Sequence, residues 1–369
     1  MKRTTLLLTV FTAAMVMALV MVIMALPVFA GGDDEDNASG GSTRNGQIVF
    51  RRYFDPDQTK SALFVMNPDG SNVRQITHPP TGWYDNVPAW SPDSKRITFE
   101  RWKSDGSTSR IMVVNPDTRH TRTVVQCGAR CLAATDPEFS PDGDSIVYSR
   151  TVGPFVPKGE PRKTSSVWKN YSAIFIVGLD GKNSHQITST PKRHKGQLAT
   201  ETSDPVISPN WKMLTFIRYD PREKKPDRFA VFVQPIGPPE DAHRITPWKL
   251  NPQDRARFSP DGKLILFRCL PKGEEGPSNL YWVHPDGTGL HKLTHAPATK
   301  QYFGSSFSPS FHKGEGWIVV GRTGGYGKEG NADVFRILIE DGRVVRSVNL
   351  TKSALWDSAV DWGTHPPVG

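Results

Sequence analysis

Arginines close a series of short β-branched and aromatic runs in this chain: Arg52 (with Arg51 beside it), Arg101, Arg150, Arg218, Arg268 and Arg322. Aspartates open the runs next to them, at Asp85, Asp136, Asp204, Asp254 and Asp357. Asp136–Arg150, Asp204–Arg218 and Asp254–Arg268 are 14 residues apart and Asp85–Arg101 is 16, spacings that a hairpin brings into cross-strand opposition. Asp357 would meet Arg51 or Arg52. Two chemistries follow. Paired, these groups are structural ion pairs at the hairpin mouths, each contributing about 0.2–1 kcal/mol if exposed. Unpaired, an arginine offers a planar fork that suits a carboxylate or phosphate. The position opposite Arg322 falls near Phe303 rather than an acid. Arg322 is therefore the leading binding candidate, with Tyr302 and Tyr326 nearby and with Arg101, Arg150, Arg218 and Arg268 as the rest of a charged rim.

Other constellations carry less. GRTGGYGKEG lacks the spacing of a phosphate loop, and Glu329 stands where that loop needs Ser or Thr. GSSFS around Ser306 has no helix after it and is not a nucleophile elbow. His185, His243 and His291 each precede a similar short run and fall far apart, which excludes a shared metal. DPDQTKS, with Asp55, Asp57 and Thr59, lacks the Gly and Glu of a calcium loop and reads as a polar turn. No zinc spacing surrounds Cys127, Cys131 or Cys269. A Cys127–Cys131 bridge in QCGARC is open to an exported chain, but sequence does not give its Cα spacing. No cofactor or metal is expected.

The elements that position these residues repeat. AWSPDSKRITFER, EFSPDGDSIVYSR, ISPNWKMLTFIR, RFSPDGKLILFR and FSPSFHKGEGWIVVGR share an anchor, a Ser-Pro turn and an apolar run. The anchors Trp90, Phe139, Ile207, Phe258 and Phe307 are spaced 49, 68, 51 and 49 apart. Each phrase is followed by a second run (RIMVVNPD, AIFIVGLDG, AVFVQPIG, LYWVHPDG, DVFRILIEDG) and a short third one such as HQIT or HKLT. Four short strands per unit, punctuated by Pro-Asp and Asp-Gly turns, make a propeller blade. The chain begins at strands two to four of a blade (IVFRR, ALFVMNPDG, RQIT) and SAVDWG, with Trp362 in the anchor place, supplies strand one. The fold class is all-β: a six-bladed propeller of four antiparallel strands per blade, closed by the two ends sharing one blade.

The phrase SPDG-x-x-I-x-F, followed by NPDG and I/L-T, resembles the repeats of TolB-like β-propellers over Gln47–Gly363. The resemblance implies an exported propeller that binds protein partners of a bacterial envelope. TolB carries an α/β domain ahead of its propeller, whereas about sixteen residues separate the leader from the first strand here, so its specific role in the Tol system is not carried over. Related propellers also precede hydrolase domains.

The start MKRTT, an uncharged apolar run Leu6–Leu26 and the small residues of PVFA form a secretory leader over 1–30, cleaved or kept as an anchor long enough to span a bilayer. Residues 31–46 read as a flexible acidic linker, 47–363 as the propeller and 364–369 as a tail. The formal charge of +9 falls by two without Lys2 and Arg3 and stays basic. For an exported protein that balance points to an acidic envelope protein or peptide rather than nucleic acid. Long loops at 154–172, 190–203 and 219–229 fall on one face, the expected binding face. The reading is a non-catalytic binding module, periplasmic or at the cell surface. The alternatives are a lyase or hydrolase working on an anionic polysaccharide in the central channel, and a structural or adhesive envelope protein.

Overall fold

The computed structural model describes residues 45–128, 131–153, 171–189, 201–220, 223, 228–237, 242–271, 277–297, 300–324 and 331–368. Residues 1–44, read from sequence as a leader and the start of a linker, lie outside this set with the basic residues 192–195, as do 222, 224–225 and Tyr326. Among the described residues no helix is long and apolar enough to cross a membrane.

Six sheets of four antiparallel strands form the ring. Blade 1 joins β24 (Trp356–Trp362) to β1 (Ile48–Tyr53), β2 (Ser61–Met66) and β3 (Arg74–Gln75). Blade 2 holds β4 (Trp83–Trp90), β5 (Ile97–Lys103), β6 (Ser109–Val114) and β7 (Thr121–Gln126). Blade 3 holds β8 (Cys131–Phe139), β9 (Ser145–Val152), β10 (Tyr171–Gly178) and β11 (His185–Gln186). Blade 4 comprises β12 (Glu201–Ile207), β13 (Met213–Tyr219), β14 (Phe229–Pro235) and β15 (His243–Arg244). Blade 5 comprises β16 (Pro252–Phe258), β17 (Ile265–Cys269), β18 (Asn279–Val283) and β19 (His291–Lys292). Blade 6 comprises β20 (Tyr302–Phe307), β21 (Gly316–Thr323), β22 (Ala332–Glu340) and β23 (Arg343–Asn349). Tyr171, Glu201, Tyr219 and Phe229 already belong to strands, so all three expected long loops are shorter than their sequence suggested.

Middle strands are apolar without alternation because both faces are covered: SALFVM of β2 is buried throughout. The core is correspondingly divided into six clusters, one between each pair of neighbouring blades. Val49, Leu63 and Val65 of blade 1, for example, pack on Trp90, Phe99 and Met112 of blade 2. The six anchors, Trp90, Phe139, Ile207, Phe258, Phe307 and Trp362, are all buried.

The Ser-Pro phrase has a mechanical basis beyond its turn residues. Ser140 Oγ donates to Asp142 at 2.6 Å and accepts from the Ser145 amide at 2.9 Å, so one side chain ties the turn to the start of the second strand. Ser91, Ser208 and Ser259 repeat the arrangement with Asp93, Asn210 and Asp261. Gly143 and Gly262 close two of these turns at φ near +70°, where a side chain is strained.

Closure extends past the last strand. The Gly46 amide donates to the Gly363 carbonyl (3.0 Å) and the Gln47 amide to the His365 carbonyl (2.8 Å). His365 stacks on Trp90 with ring centroids 5.5 Å apart, and the Val368 carbonyl accepts from Asn67 and Asn72. Residues 364–368 thus clasp blades 1 and 2 together.

Candidate functional site

Three of the paired aspartates meet their arginines. Asp85 and Arg101 form a bidentate pair (2.6 and 2.9 Å) with both residues buried, Asp357 and Arg52 another (2.7 Å twice), and Asp254 reaches Arg268 at 2.8 Å. Arg51 turns instead to Asn86 and Ser358. Asp136 does not pair with Arg150, nor Asp204 with Arg218. The residues opposite those arginines are Ala134 and Thr202. Every first strand breaks register at one level, with Val87, Asp136, Asp204, Asp254, Gly304 or Ala359 at positive φ. In blades 3, 4 and 5 the aspartate is itself the bulge residue and lines the channel, and of the three only Asp254 still reaches its arginine.

All six rim arginines have an aromatic partner. Arg52 lies over Phe64 (4.9 Å to the ring centroid), Arg101 over Phe99 (5.5 Å), Arg150 over Phe175 (5.0 Å), Arg218 over Phe232 (4.4 Å), Arg268 over Phe303 (5.3 Å) and Arg322 over Phe335 (3.7 Å). Such contacts contribute about 0.5–1 kcal/mol at exposed sites; five are within a blade and Arg268–Phe303 joins blades 5 and 6. Arg322 makes no ion pair with a described residue; its Nη1 donates to Ser347 Oγ at 3.3 Å.

The channel holds residues that the strand-opening pattern does not reveal. Arg255 of blade 5 crosses the axis and donates to the carbonyls of Val87, Pro88 and Pro137 at 3.2, 3.2 and 2.7 Å. Its Nη1 is 3.2 Å from Glu138. One level further along, Arg257 bridges Glu138 and Asp361, each at 3.2 Å. Asp361 also accepts from the Trp90 amide (2.7 Å) and Ser306 Oγ (2.6 Å). These struts join blades 1, 2, 3, 5 and 6 across the axis and separate two cups. One, of about 260 Å³, opens between the Ser-Pro turns; the other, of about 220 Å³, is lined by the bulges. The available signal was a charged residue directly before the anchor in three blades, Glu138, Arg257 and Asp361.

The bulge cup concentrates carboxylates. Burial, with Asp136 adding like charge, pushes Glu100 up to about 8, and its Oε2 accepts from Trp102 Nε1 at 2.6 Å. Asp204 is held well above the usual carboxylate range by burial and then by Asp136. Folded Glu100 therefore keeps a proton that the unfolded chain, at the ordinary 4.5, has released. Between those two values the native state binds more protons, and stability falls as pH rises. Glu100→Gln is expected to flatten that slope and to raise the denaturation midpoint relative to wild type near the upper end of the window, read by urea unfolding at several pH values. An unchanged slope would contradict the assignment. Among the described residues no group of His, Cys, Asp and Glu is placed to hold a metal ion.

A larger recess, about 530 Å³, runs along the seam between blades 5 and 6. Its cations are Lys292, Lys300, Arg322 and Arg343, joined by His291 and His295, and among the described residues no carboxylate lines it. It extends from Gly342 on the Ser-Pro side to Tyr302 and Arg322 on the long-loop side. The structure thus brings Arg322 and Tyr302 together, while Tyr326 lies outside the described residues. Arg150 borders a smaller recess of about 310 Å³ between blades 2 and 3, beside the Cys127–Cys131 disulfide, whose Cα atoms are 4.7 Å apart. Arg101 and Arg268 are buried in their ion pairs.

This ring recurs in solved structures. TolB from Acinetobacter baumannii superposes with a TM-score of 0.59 at 18% identity, covering 87% of this chain and 67% of that one. The fold is that of a TolB-like six-bladed propeller. A putative TolB from Agrobacterium tumefaciens gives 0.50 at 16% identity, covering 87% of this chain and 99% of that one. Hydrazine synthase from Kuenenia stuttgartiensis gives 0.60 at 13% identity, covering 88% of this chain and 48% of that one. No protein-family model and no curated protein sequence matches the chain. A TolB-like ring is thus found in an enzyme as well as in TolB, and the architecture by itself does not assign catalysis.

Proposed function

We propose that this chain is an exported binding module of the cell envelope that engages an acidic segment of a protein partner along the seam between blades 5 and 6. One observation carries the reading: four cationic side chains and two histidines line one recess, and no carboxylate of a described residue lines it with them. Arg322 is stacked on Phe335 like the other rim arginines on their rings, makes no ion pair with a described residue, and lines this recess. Export is supported by the leader-like start and agrees with a disulfide at Cys127–Cys131, a bond of oxidising compartments.

Binding of glutamate-rich and lysine-rich peptides of matched length to the full chain tests it. The acidic peptide is expected to bind at low salt, to weaken as salt rises, and to lose roughly tenfold or more in affinity with Lys292→Glu/Arg322→Glu. Equal binding of both peptides, or indifference to the double reversal, would sink the proposal.

A further inference from the structure

The outermost strands differ in a way that bears on how such a partner docks. β3, β11, β15 and β19 have two residues each, too short to template another strand. β7 is longer, but blade 3 lies against it: Arg122 Nη1 donates to the Leu179 carbonyl, and Gly181 approaches the Val124 carbonyl so closely that a Cβ there would sit 2.8 Å away. β23 has seven residues, and Arg343–Ser347 are all exposed. Beyond its ladder with β22, no described residue hydrogen-bonds to the backbone of residues 343–348. A bulge at Val345 interrupts one end, after which Arg346–Asn349 pair regularly with Phe335–Leu338. Val345 is 51% exposed.

This edge is the lip of the basic recess, since Arg343 and Val344 line it together with Lys292, Lys300 and Arg322. Resting on the proposed acidic partner, we infer that the partner binds by strand addition: an extended segment pairs with the free edge of β23 and lays acidic side chains, at alternate positions, into the seam. Backbone pairing supplies affinity that does not depend on side chains, and period-two alternation sends every second side chain to the same face. Charge fixes the chemistry of that face. Glu340 and Asp341 stand at the turn before β23, so the segment's acids are directed to the Arg346–Arg322–Lys300 end.

The experiment uses a short peptide alternating glutamate with threonine, and two versions N-methylated along one edge or the other. N-methylation removes the donors of a single edge and leaves the charge intact. Methylating one edge is expected to weaken binding to the full chain roughly tenfold or more, methylating the other edge much less, and the parent peptide is expected to slow amide exchange at Arg346–Asn349. If neither edge matters while charge does, strand addition is overturned and the acidic-partner reading stands. If no acidic peptide binds at low salt, both fall. A dimer in sedimentation that Val345→Lys dissolves would overturn the inference in favour of a second copy on this edge.

Discussion

Replacing Arg257 by Met is expected to lower the unfolding free energy by about 3–5 kcal/mol, the usual range for removing one partner of a buried ion pair. Arg257 is the hub between Glu138 and Asp361, and all three side chains are about nine-tenths buried. Without it Glu138 keeps Arg255, and Asp361 keeps the Trp90 amide and Ser306, so neither carboxylate is bare, but a negative charge is left uncompensated on the axis. Glu138→Gln combined with Arg257→Met should recover part of the loss, because the excess charge goes with it. Denaturant midpoints of the two variants against wild type decide the matter. A loss under about 1 kcal/mol, as for an exposed pair, would show that the struts do not hold the blades.

Trp362→Ala should have an effect of similar size, about 3–5 kcal/mol for truncating a buried tryptophan. Trp362 is 5% exposed, packs with Ile48, Met66 and Trp317, and donates from Nε1 to the Gly46 carbonyl at 2.8 Å. It anchors the strand that joins the two ends of the chain, so its loss is expected to loosen β1 and β24 first and to expose the edges that closure covers. Faster amide exchange confined to blade 1, together with a lower melting temperature, is the expected result. Uniform weakening of all six blades would mean that the ring does not open at this seam.

The ring was legible because its causes are local. A Ser-Pro turn, an apolar run covered on both faces and an anchor before each turn can be read one unit at a time, and Trp362 in SAVDWG identified the closing strand. The site was less legible because it depends on register. Asp136 and Asp204 lie at the same spacing from their arginines as Asp254 does, yet a two-residue bulge in β8 and β12 carries them off the pairing position, while the three-residue bulge of β16 leaves Asp254 within reach of Arg268. That wider bulge also frees Arg255 to cross the axis. Glu138, Arg257 and Asp361 belong to three blades and acquire meaning only when the six first strands are brought around one channel. The basic recess is equally non-local, since Lys292 and Arg322 meet across a seam. Arg322 stood out in the sequence for lacking an acid at the place that the other aspartates occupy, but Arg150 and Arg218 face Ala134 and Thr202, so that signal does not single it out in the structure.

The most direct measurement is amide hydrogen exchange across the full chain, with and without a saturating glutamate–threonine peptide. Protection is expected at Leu293–Pro297, Lys300–Tyr302 and Arg343–Asn349, with the channel-lining bulge residues unchanged. Protection centred instead on the bulge residues around Asp136, Asp204 and Asp254 would place the ligand in the channel and contradict the seam between blades 5 and 6 as the binding site.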